Sequence, residues 1–190
     1  MKTENKVLME NARESLVGNW KLAVGTFFVF NLINVAGGIP DVGAVIGLII
    51  GGPMSLGAAI FSLNLAKNNK AEFSQIFDGF KNFAESLAAY LLILLYVLLW
   101  TLLLIIPGII ASISYSQTFF ILADEKNIKA AEAIKKSKAM MNGFKWKFFC
   151  LALRFSGWFV LSILTLGVGF LWFFPYVQVS FANFYKDLKK

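Results

Sequence analysis

Charged residues leave four long gaps in this chain. No Asp, Glu, Lys or Arg occurs in residues 22–40, 42–66, 86–123 or 155–185, runs of 19, 25, 38 and 31 residues. A helix rises 1.5 Å per residue, and about 20 apolar residues cross a hydrocarbon layer about 30 Å thick. Run 86–123 would extend about 57 Å as one helix, nearly two crossings. It contains Pro107-Gly108, where the ring removes a backbone donor and glycine permits a sharp turn. The pattern therefore predicts a hairpin there, with spans at about 20–38, 42–66, 86–106, 108–124, 148–165 and 168–185. Thr165-Leu166-Gly167-Val168-Gly169 is the turn between the last two.

Composition agrees with the pattern. Hydrophobic residues make up 58% of the 190, charged residues 15%, and the mean hydropathy is +0.68. The expected fold is an all-α polytopic membrane protein. It has six transmembrane helices arranged as three hairpins, short amphipathic helices at the cytoplasmic interface, and both termini cytoplasmic. A cleaved signal peptide is not expected, because three acids lie in the first 15 residues and further spans follow the first apolar stretch.

Charge sets the orientation. With six spans and a cytoplasmic N-terminus, 17 of the 18 basic residues fall on the inner side, and the outer turns carry only Asp41. Were 86–123 a single crossing, the loop with seven lysines from Lys126 to Lys147 would face outward, against the positive-inside rule. The net charge of +7 thus reads as topology and attraction to anionic lipid head groups, not as nucleic-acid binding.

The chain reads as one six-span domain, 1–190, with a threefold hairpin pseudo-repeat of 1–66, 67–124 and 125–190. Each unit has a polar segment ending in glycine, an aromatic and lysine: Gly18-Asn19-Trp20-Lys21, Gly79-Phe80-Lys81 and Gly143-Phe144-Lys145. In 71–86, Phe73, Ile76, Phe77, Phe80, Phe83 and Leu87 keep helical spacing. In 128–147, Ile134, Ser137, Met141 and Phe144 form a stripe, with Asn127 as N-cap and Glu132–Lys136 as an i,i+4 pair. Such faces bind either lipid or the protein's own bundle.

Candidate chemistry is sparse. There is no His and one Cys, Cys150, which excludes intrachain disulfides, the usual zinc sites and His-based proton transfer. No catalytic set, metal site, phosphate loop or cofactor motif is present. Gly43, Gly47, Gly51, Ser55 and Ala59 form a small-residue stripe that permits close helix packing. Pro53 and Pro175 lie inside spans and can bend them. Span four is polar, with Ser112, Ser114, Tyr115, Ser116, Gln117 and Thr118, and span one carries Asn31 and Asn34. Arg154 lies within span five, seven residues past Lys147. Asn31, Asn34, Tyr115, Gln117 and Arg154 are the candidate residues for a polar cavity or for lipid head-group contact. The structural reading is preferred to that one: the polar groups bond between helices, and Arg154 snorkels to the inner interface.

The phrases Ile106-Pro107-Gly108-Ile109-Ile110, Ile121-Leu122-Ala123-Asp124, Glu132-Ala133-Ile134, Met141-Asn142-Gly143-Phe144-Lys145-Trp146, Gly157-Trp158 and Pro175-Tyr176 together resemble the bacterial integral-membrane family known as domain of unknown function 975. The resemblance implies a multi-pass protein of a bacterial plasma membrane, and it supplies no activity. The function expected is a non-enzymatic scaffold or accessory protein of the cell envelope, with a membrane-protein partner or a second copy of itself. A transporter or lipid-handling protein with a polar cavity near span four is the alternative.

Overall fold

The computed structural model describes residues 3–36, 42–125 and 127–189. Asp41 and the expected turn around it lie outside the described residues. Among those described, all regular structure is helical: α1 (Asn5–Leu16), α2 (Trp20–Ala36), α3 (Val42–Ala66), a 3₁₀ segment (Phe73–Asn82), α4 (Phe83–Leu103), α5 (Ile105–Tyr115), α6 (Thr118–Asp124), α7 (Ala130–Met140), α8 (Lys145–Arg154), α9 (Ser156–Leu164) and α10 (Phe170–Lys189). Among the described residues, four helical stretches are long and apolar enough to cross a membrane: Val45–Ala66, Phe73–Leu103, Ile105–Asp124 and Lys145–Leu164. A fifth arises if α1 and α2, bent by 100° at their junction, count as one.

Helix α3 is the hub, packing on α2, α4, α6, α10 and the 3₁₀ segment. Its glycines explain why. A methyl on Gly52 would stand 2.5 Å from the Ser86 carbonyl oxygen and 2.9 Å from Leu87 Cα. One on Gly57 would run into the Ile76 carbonyl, and one on Gly79 into the Pro53 carbonyl. Apolar surface drives no association between helices that are both in lipid, so close backbone approach and dispersion do the holding. Of the predicted stripe, Gly51 and the buried Ala59 belong to this packing face, and a Cβ on Gly51 would stand 2.9 Å from the Tyr90 ring. The tightest approaches are at Gly52 and Gly57, off the stripe. Both α3 and α10 continue as helices through Pro53 and Pro175.

The turn expected at Pro107-Gly108 lies earlier, at Leu104, whose backbone is extended (φ −162°, ψ 146°). Pro107 falls in the first turn of α5, where a missing N–H costs nothing. Gly108 serves close approach instead: a Cβ there would lie 2.9 Å from Thr101 Cα on the preceding helix. The turn at 165–169 is where the sequence puts it, with Leu166 and Gly167 at φ 53° and 88° and Thr165 Oγ1 accepting the Gly169 N–H at 2.9 Å.

The amphipathic segments pack on the protein more than expected. Ile134, Ser137 and Met141 of the α7 region are buried, and α7 rests on α4 and α6. Its N-terminus begins at Ala130, whose N–H donates to Glu85 Oε2 at 2.6 Å, so α4 supplies the cap in place of Asn127. Lys136 pairs with Glu125 at 2.5 Å rather than with Glu132. The 3₁₀ segment buries Ile76 and Gly79 against α3 and turns Phe73, Phe77 and Phe80 outward. Gly18 and Gly143 both have φ +80°, and each is followed two residues later by the start of a helix, α2 and α8.

Candidate functional site

The five candidate residues do not form one site. Asn31 Nδ2 donates to the Phe27 carbonyl at 2.6 Å, and Asn34 Nδ2 to the Phe30 carbonyl at 2.7 Å, each one turn back on α2. Arg154 ends α8 with its side chain exposed. It has no ion pair among the described residues. Only Tyr115 and Gln117 lie together, at the break between α5 and α6. Tyr115 is buried beside Ala111 and Ile134, with its ring 5.8 Å from that of Tyr96.

That break accounts for the polarity of span four. The hydroxyls of Ser112, Ser114, Ser116 and Thr118 donate at 2.6–2.8 Å to carbonyls three or four residues back. Ser137 of α7 spans the gap: it accepts the Gln117 N–H at 3.2 Å and donates to the Ser114 carbonyl at 2.8 Å. Gln117 Nε2 donates to Ser116 Oγ at 2.9 Å, while its buried Oε1 has no partner among the described residues. A broken helix frees backbone groups that lipid cannot satisfy, and the nearby hydroxyls answer that need.

A second polar centre was not foreseen. Asp124, the last residue of α6, has a side chain 7% exposed. One carboxylate oxygen takes Lys67, and the other takes Lys189 and the Tyr185 hydroxyl, the last at 3.0 Å. Lys186 Nζ donates to the Ala66 carbonyl at 2.8 Å. Tyr185 stacks on Phe120 with centroids 5.9 Å apart. These groups surround a cavity of about 300 Å³ and join the C-terminal ends of α3, α6 and α10. Helix C-termini carry partial negative charge, so ammonium groups there are favoured. The carboxylate beside it holds the Lys189 ammonium above the ordinary lysine range. Both oxygens of Asp124 are occupied, so the junction clamps the helix ends together.

The sequence did hold a signal for this junction. Lys67, Asp124 and Lys186 are the first charged residues after runs 42–66, 86–123 and 155–185. In a three-hairpin threading these are the inner ends of the three returning spans, which must meet at one face.

A family described as protein of unknown function (DUF975) matches the chain over residues 1–111 and 101–190. The chain belongs to this family. No curated protein and no solved structure matches it. Membership confirms the resemblance seen in the motifs and assigns no chemistry to Asp124 or to the α5–α6 break.

Proposed function

We propose that the protein is a multi-pass protein of a bacterial plasma membrane, with six spans in three hairpins and both termini inside, acting as a non-enzymatic scaffold or accessory protein of the envelope. One observation carries this reading: Asn31, Asn34, Ser112, Ser114, Ser116 and Thr118 bond to backbone of their own helices, and the buried Thr26 Oγ1, Ser62 Oγ and Gln117 Oε1, without partners among the described residues, line none of the grooves described. A bundle of this kind acts through its surfaces. Those are extensive, with Leu102, Leu103, Leu104, Ile105 and Ile106 each 67–83% exposed. Such a patch is untenable in water and ordinary in lipid. The like conformation of Gly18 and Gly143 supports a repeat between the first and third hairpin units.

Single cysteines in a Cys150-free background test the threading. Positions near Asp41, Gly108 and Gly167 label with an impermeant reagent from outside intact cells, and those near Lys70, Lys138 and Lys189 do not. Labelling at residue 138 overturns the six-span reading. For the scaffold role, cross-linking in intact cells followed by purification recovers defined envelope partners in fixed ratio. Recovery of the chain alone overturns that role. A lipid-handling role is the second reading, favoured by an apolar groove between α1, α9 and α10.

A further inference from the structure

The sequence holds two arginines, and the one that drew notice, Arg154, stands on an exposed helix face. The other, Arg13, lines the mouth of a half-open groove of about 430 Å³ with Trp20, Trp158, Leu161, Trp172 and Tyr176. Helix α1 lies along α10, and Arg13, itself exposed, stands at the edge of a largely apolar lining. The other polar groups of the lining are engaged. Ser162 Oγ donates to the Trp158 carbonyl at 2.8 Å, and Thr165 Oγ1 donates to the Ser162 carbonyl while accepting the Gly169 N–H, both at 2.9 Å. Arg13 has no ion pair and no side-chain hydrogen bond among the described residues. Tryptophan and tyrosine settle at lipid head-group level, where one end of the ring is apolar and the other wet.

We propose that this groove binds one anionic phospholipid, its phosphate on Arg13 and one acyl chain along Trp158, Leu161 and Trp172. Charge complementarity selects this occupant. An apolar slot with a single unpaired cation at its mouth matches an amphiphile with one anionic head. A guanidinium takes two phosphate oxygens at once, which an ammonium does not. A zwitterionic lipid fits the slot and brings a compensating cation that Arg13 repels. The proposal rests on the chain lying in a membrane and not on the six-span threading, which sets Arg13 and the 165–169 turn, both on this groove, on opposite sides. Carbonate extraction tests the membrane reading separately, and release of the chain from membranes overturns it.

The experiment is a native mass-spectrometry titration of the full chain, purified in mild detergent, with dioctanoyl phosphatidylglycerol, dioctanoyl phosphatidylcholine and inorganic phosphate. The wild type takes up one phosphatidylglycerol, about tenfold more tightly than phosphatidylcholine, and phosphate does not displace it. Arg13→Gln loses about tenfold in phosphatidylglycerol affinity, the loss expected when a charge-assisted bidentate contact disappears. Arg13→Lys falls between the two. Arg154→Gln is unchanged, and Leu161→Trp, which fills the slot, loses both lipids. Equal phosphatidylglycerol binding by Arg13→Gln and wild type overturns the proposal. So does displacement by inorganic phosphate, which identifies a free-phosphate site. Should Arg13→Gln not fold, unchanged lipid uptake by Leu161→Trp overturns it independently.

Discussion

Helices α3 and α4 are both long, apolar and free of charge over most of their length, yet they are used in opposite ways. In α3, 56% of the apolar window is buried inside the protein; in the stretch made of the 3₁₀ segment and α4 it is 11%. The difference lies in side-chain size. Helix α3 carries Gly51, Gly52, Gly57, Ala58 and Ala59 where neighbours approach, and α4 carries Leu91, Leu94, Leu95, Leu98 and Leu99, all exposed. Hydrophobicity alone does not separate a lipid-facing helix from a protein-facing one, because lipid is as apolar as leucine. Small residues do, because they decide how near another backbone can come.

The strongest test of this contrast is Gly57→Leu. Its Cβ would meet the Ile76 backbone carbonyl, which has no rotamer with which to escape. No folded protein is expected, read as loss of a monodisperse peak in detergent. Gly51→Leu meets the Tyr90 ring, which can swing aside, and should lose about 1–3 kcal/mol. Equal losses would show that the two glycines act by helix propensity and not by contact.

Core and surface truncations sharpen the comparison further. Phe61 is fully buried on α3, with its ring 5.9 Å from that of Phe27. Phe61→Ala should cost about 3–5 kcal/mol. Leu102, 83% exposed near the end of α4, should cost under about 0.5 kcal/mol on the same change. Thermal unfolding in one detergent measures both, and a large loss at Leu102 would point to a protein partner on that surface.

Asp124 tests the junction where the C-terminal ends of α3, α6 and α10 meet, and its effect is smaller. Asp124→Asn keeps the shape and removes the charge that Lys67 and Lys189 share. Those lysines are 36% and 52% exposed and rehydrate, so the loss is screened to about 1–2 kcal/mol. A stability gain would show that the carboxylate is held at a net cost.

Positions of helices were legible in the sequence, and their contacts were much less so. Charge-free runs located helices, but among the described residues α10, in the place of the sixth expected span, is not one of the four stretches long and apolar enough to cross, and α2 counts only together with α1. The glycine-rich phrase at 165–169 located its turn. Pro107 misled because a proline in the first turn of a helix leaves the same trace as one in a loop. The polar residues of α5 read as structural, and the sequence could not say that their partners are carbonyls of the same helix, because back-bonding, bonding between helices and lining a cavity call for the same residue types. The Asp124 junction needs the ends of three helices to meet, which no local pattern records. The stripe at Gly43–Ala59 pointed to the right helix and shares Gly51 and Ala59 with the contact face, but missed Gly52 and Gly57, since an every-fourth-residue count drifts from the 3.6-residue turn along a long helix.

The smallest expected effect belongs to Arg154, the residue the sequence made most conspicuous. An intramembrane charge is a functional hypothesis when a partner or cavity receives it. Here the side chain is exposed at the end of α8, has no ion pair among the described residues, and lies outside the lining of the groove that Arg13 faces. In the proposed threading a long cationic side chain so placed reaches the inner head-group layer, where Lys reaches as well. Arg154→Lys should therefore leave expression, thermal stability and phosphatidylglycerol uptake unchanged. Arg154→Leu should be neutral or slightly stabilising, since an apolar residue inserts more readily. The discriminating result is a Lys variant that folds normally and loses its cellular phenotype. Charge and reach are kept in that variant and only the planar fork is gone, so such a loss would assign Arg154 a carboxylate or phosphate ligand.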